Sequence, residues 1–210
     1  MDEIMIQFFP NMTVWKLHSF KEYLIFFLLL LSGFLFFHGW INRLRKARTP
    51  AGAKKRVLKA VKTSSHDRYY YFSFKNGGLS PESTCILLPH DVLLLRIISK
   101  GYQIKGSEYS EQWLFKDNSE SISVPNPLTI LEHEKDKLEN LLKTAKIAFI
   151  RVHIFVIAAD NYAAPVFYLD GPSRSKTLSL PELKQWIRQR ELDPLPEEKQ
   201  QEILALLQQK

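Results

Sequence analysis

Six histidines (His18, His38, His66, His90, His133 and His153) and one cysteine, Cys85, are the side chains on which metal or thiolate chemistry would draw. A structural zinc site takes four nitrogen or sulfur ligands, offered in closely spaced pairs along the chain. These histidines form no such pairs and a lone cysteine cannot complete the set, so the pattern predicts no metal. His153 lies inside an apolar run and reads as a satisfied core residue. The chain also holds no GxxxxGK[S/T] phosphate loop, no GxGxxG turn and no GxSxG elbow. Gly77-Gly78 is turn chemistry. Tyr69 to Phe72 offers aromatic faces on which bases could stack. Only Arg68 and Lys75 flank that stretch, however, and a half-buried strand accounts for it. Arg96 is the more informative residue, because it stands inside the apolar run VLLLRII. A buried guanidinium is costly unless it pairs with an acid or reaches the mouth of a pocket. Asp91 sits in the Pro89-His90-Asp91 turn, where a carboxylate bonds its own backbone. Glu82, just after Pro81, reads as a solvated loop carboxylate.

The basic residues form a second pattern. Arg43, Arg45, Lys46, Arg48, Lys54, Lys55, Arg56, Lys59 and Lys62 follow one another with no acid until Asp67. From residue 63 onward there are 18 Lys and Arg against 19 Asp and Glu, so the pI of about 9.4 belongs to this stretch and not to the rest of the chain. Such a run is drawn to anionic headgroups by about 1 kcal/mol per cation near the surface. Arg43, Arg45, Lys46, Arg48, Lys54 and Lys55 are therefore expected to contact a membrane surface, with nucleic-acid phosphates the alternative.

The elements that position these residues begin with Tyr23–Ile41, an apolar stretch without a formal charge. It matches the roughly 20 residues that cross ~30 Å of hydrocarbon, with Tyr23, His38 and Trp40 at its edges. A cleaved signal peptide fits less well, since about twenty residues precede the run and no small-x-small site follows it. The cationic flank predicts a single-pass protein of the inner or plasma membrane, with its N-terminus outside and the C-terminal part in the cytoplasm. One cysteine agrees with a reducing compartment. The expected division is a short N-terminal segment (1–22), the span (23–41), a basic juxtamembrane stretch running into a short helix (42–62), and a domain (63–210).

Within that domain a helix is expected over Ala51–Lys62, after the break at Thr49-Pro50. Strands are expected at Tyr69–Phe74, Cys85–Leu88, Val92–Ile98, Val166–Leu169 and, centrally, Ile147–Ala159, with a short strand or bend at Tyr102–Lys105. A helix follows Asn126-Pro127, and Ser179-x-x-Glu182 is a capping box that starts another. The last amphipathic stretch, from Pro196, is helical. The order predicts an α/β domain with a mixed sheet.

From about Gly52 to the C-terminus this layout resembles the nuclease-related domain (NERD) family of the PD-(D/E)xK restriction-endonuclease-like group. KGYQIKG (Lys100 to Gly106) followed by Trp113, Asn126-Pro127 followed by a helix with His133, Pro89 within its strand–turn–strand, and the closing pair of helices carry the resemblance. It implies a restriction-endonuclease-like mixed sheet flanked by helices, preceded by one transmembrane helix. In such nucleases carboxylates hold a divalent metal and a lysine assists the attacking water. With Pro89 and Gly106 as fixed points, those positions hold Arg56, Ser83, Arg96, Ile98 and Ile130, so the catalytic set is absent. What the resemblance then implies is a membrane-anchored, catalytically inactive binding or scaffold module. Its partners would be the bilayer and an unidentified protein, with nucleic acid as the alternative, and it would need no cofactor. A divergent nuclease using Glu82, Asp91, Lys100 and Mg²⁺ is the competing expectation. A pocket holding two carboxylates and a lysine would favour the enzyme, and one lined by Arg96 and Ile98 would favour binding.

Overall fold

The computed structural model describes residues 5–6, 15–16, 19–72, 80, 82–118, 120–147, 149–160, 163–190 and 196–208, leaving out the side chains of 5–6, 15–16, 42–47, 72, 200 and 207–208. The chain forms two compact units, Met1–Lys46 and Ala47–Lys210.

In the first unit, β1 (Met5–Ile6) pairs antiparallel with β2 (Trp15–Lys16). Helix α1 (Phe20–Ala47) follows. Its segment Phe20–Ile41 has mean hydropathy 2.2 and none of it is buried. At 1.5 Å per residue that segment is about 33 Å long, enough to cross a bilayer. The helix starts three residues before the apolar run and its backbone continues through the basic residues that follow.

The second unit opens with α2 (Pro50–Ser64), where Thr49 Oγ1 accepts from the Gly52 N–H at 3.1 Å and Pro50 occupies the first turn. Read from the sequence as part of a juxtamembrane stretch, this helix is a core element: Ala53, Val57, Ala60 and Val61 are buried. Strands β3 (Tyr70–Phe72), β4 (Ser83–Leu87) and β5 (Asp91–Ile98) form an antiparallel meander. Strands β6 (Gln103–Gly106), β7 (Gln112–Lys116) and β8 (Ser121–Pro125) form a second one. Then come α3 (Pro127–Thr144), β9 (Arg151–Ala158), β10 (Val166–Leu169), α4 (Gly171–Ser175), β11 (Thr177–Ser179), α5 (Leu180–Arg188) and α6 (Glu197–Gln208).

The main sheet has the order β11-β9-β5-β4-β3, with β9 parallel to both neighbours. Its central strands are apolar on consecutive positions because both faces are covered. Leu93, Leu95, Phe155 and Ile157 meet α2 and α5 on one side. Val92, Leu94, Ile154 and Val156 meet α3 and the second sheet on the other. The second sheet has the order β10-β6-β7-β8, so the predicted strand Val166–Leu169 joins it and not the main sheet. Trp113 fixes its packing: the indole is fully buried, donates to the Ser107 carbonyl at 2.9 Å, and lies so close over Gly106 that a Cβ there would come within 2.5 Å of the ring. The architecture is thus mixed α/β with two mixed sheets, where the sequence suggested one.

Candidate functional site

A cleft of about 570 Å³ opens where the start of α2, the C-terminal end of β5 and the β8–α3 junction meet. Ile97, Ile98, Val124, Pro125 and Pro127 give it apolar walls, while Lys54, Glu82 and Arg96 supply its charges. Arg96 is held in place by a short chain of contacts. Buried Glu134 of α3 accepts the Ser80 N–H at 2.6 Å, and the Ser80 hydroxyl accepts from Arg96 Nη1 at 3.0 Å. Arg96 Nη2 then pairs with the Glu82 carboxylate, whose side chain is 71% exposed. The Lys54 ammonium lies 4.8 Å above the Tyr71 ring. Sequence reasoning missed Glu134, whose anchoring of Ser80 joins positions far apart in the chain.

Of the five positions that the family resemblance singled out, Arg96 and Ile98 line this cleft. Ser83 faces Arg96 across the β4–β5 ladder without lining it. Arg56 donates from α2 to the Ala159 carbonyl, and desolvation lowers its pKa against an opposing pull from Asp160. Ile130 is half-buried in α3.

The substitutes Glu82, Asp91 and Lys100 are not brought together. Glu82 sits at the cleft, and Lys100 is exposed in the turn after β5. Asp91 begins β5, seven residues before Ile98. At ~3.3 Å per residue, that is about 23 Å along the strand. Among the described residues no group of three or more His, Cys, Asp or Glu could hold a metal ion.

Asp91 also corrects a sequence expectation. Its side chain is fully buried and bonds across to β9, not to its own turn: Arg151 Nε lies 3.0 Å and His153 Nε2 2.8 Å from Asp91 Oδ1. Burial pushes this carboxyl up, but the hydrogen bond and charge of His153 and the charges of Arg151 and Arg190 outweigh it and hold the pKa below the usual value. Trp186 of α5 packs edge-on against His153 at 4.9 Å, and Arg190 covers its ring at 3.9 Å. The parallel β5–β9 register sets Asp91 opposite Arg151. The visible signal was Arg151 and His153 at alternate positions on one strand.

Arg48, expected at a membrane or nucleic-acid surface, is bound at 2.7 Å to Asp117 and 3.0 Å to Asp160, both nearly buried. Hydrogen bonds to these carboxylates, Asp160 foremost, raise its pKa against the cost of burial. Lys54 belongs to the cleft, and Lys55 is exposed. The side chains of Arg43, Arg45 and Lys46 lie outside the described residues. Cys85 is buried, and desolvation, then the Glu134 charge, pushes its thiol well above the usual range.

No family model, curated protein or solved structure matches this chain.

Proposed function

We propose that residues 47–210 are a nuclease-like domain that works by binding, on a chain anchored in a membrane by α1. The carrying observation is the composition of the cleft. Arg96 and Ile98 stand where the resembled nucleases keep a carboxylate and a lysine, and Glu82, the cleft's carboxylate, is engaged by Arg96. A hard divalent cation wants several oxygen ligands, and a guanidinium repels it. The main sheet's own elements, a helix, three antiparallel strands and, after the β6–β8 meander, a helix and a parallel strand (α2, β3 to β5, α3, β9), support a restriction-endonuclease-like core. The near-neutral charge beyond residue 63 favours a protein partner over nucleic acid. The cationic flank of α1 supports an N-terminus outside and a cytoplasmic domain.

The test is cleavage of DNA and RNA by the full chain in detergent, with Mg²⁺ or Mn²⁺. No metal-dependent cleavage is expected. Cleavage lost in a Glu82→Gln, Lys100→Ala double variant would instead make this a divergent nuclease.

A further inference from the structure

The cleft combines two features that point to one kind of ligand. Its walls are mostly apolar, formed by Ile97, Ile98, Val124 and three prolines, and its volume of about 570 Å³ suits a small organic molecule. Its charges are two cations, Lys54 and Arg96, against one carboxylate. That carboxylate is an exposed side chain, whereas Arg96 is only 16% exposed and is fixed from behind by Ser80. Lys54 has a ring beneath it and no carboxylate partner among the described residues. The cation pair is therefore built into the fold, while its counter-ion is an exposed surface group that an incoming anion can replace. The N-termini of α2 and α3 flank the same opening and add positive potential to it.

Resting on the binding reading of this cleft, we propose that it takes an organic anion with an apolar body. The phosphate or carboxylate head displaces Glu82 from Arg96 and also meets Lys54, and the body lies against Ile97, Ile98 and Val124. A lipid with a phosphate-monoester headgroup and a free amphiphilic metabolite share this chemistry. A nucleic-acid backbone suits it less, because a strand of diesters has no use for an apolar wall beside each phosphate.

The assay is titration calorimetry of the full chain in phosphatidylcholine nanodiscs, with empty nanodiscs subtracted. Hexyl phosphate is expected to bind at least about tenfold more tightly than inorganic phosphate, since its chain buries methylenes that inorganic phosphate lacks. Lys54→Gln should weaken hexyl phosphate by about tenfold, the loss of one charge-assisted contact. Glu82→Gln should tighten it several-fold, a gain that damage to the fold could not produce. Equal binding of the two probes, or an unchanged Glu82→Gln affinity, overturns the proposal. Competition by phosphatidic acid built into the nanodisc identifies a lipid source, and its absence alongside hexyl phosphate binding identifies a free metabolite. The cleavage assay on the same sample separates the two readings. Metal-dependent cleavage overturns the binding function itself. Silence in both assays overturns only the anion.

Discussion

The two ends of the main sheet each carry an arginine–carboxylate pair, and the pairs differ in which partner is buried. At the end where β5 and β9 begin, Asp91 is fully buried and Arg151 is 55% exposed. At the end where β5 finishes, Arg96 is 16% exposed and Glu82 is 71% exposed. A buried carboxylate cannot leave its partners without an uncompensated charge, so the first pair holds strands together. An exposed carboxylate is released into water at little cost, so the second pair is exchangeable. The difference separates a fixed end from an exchangeable end within one sheet.

The sharpest way to break this contrast is Asp91→Asn. We expect a loss of about 2–3 kcal/mol, read by thermal unfolding of the full chain in detergent, because the buried carboxylate charge that Arg151 and His153 bond is removed. A loss smaller than that of Glu82→Gln would erase the distinction. Acid sharpens it further. Because the folded pKa of Asp91 is lowered, its contribution is complete above the unfolded value of about 3.9 and fades as pH falls through the folded value. The wild-type protein should therefore lose stability below about pH 4 more steeply than Asp91→Asn.

Arg48→Met tests whether the end near the cleft also contains fixed charges. It leaves Asp117 and Asp160 without this cation, and the expected cost is about 1–2 kcal/mol, reduced by the partial exposure of Arg48. The smallest effect belongs to Glu82→Gln, within about 0.5 kcal/mol by the same unfolding measurement.

Local signals were legible where side chains act on their own backbone. Ser179 and Glu182 form the capping box that their spacing promised, and Asn126 caps α3 by accepting from the Leu128 N–H at 3.0 Å. The run VLLLRII was readable as a buried strand because both its faces are covered. Strands β7 and β8 escaped notice: each is five residues long, and β8 is a largely exposed edge strand with little apolar pattern. The partners of Asp91 lie 60 and 62 residues away, fixed by a parallel register that no local pattern encodes. At the cleft, Arg96 was recognisable as a charge needing a partner or an opening, and it has both. Its support from Glu134 through Ser80 depends on how α3 crosses the sheet.

One consequence concerns synthesis. Strand β9 pairs with β5 along its whole length, from Asp91 against Arg151 to Ile98 against Ala158, yet residues 99–150 must be translated between them. Until they are, β5 has β4 on one side and a bare edge of unpaired amides and carbonyls on the other. An apolar strand with such an edge templates pairing between chains. A stalled or truncated product ending before residue 150 should therefore aggregate through its most apolar strand. One ending after β11 has already covered that edge of β5 with β9.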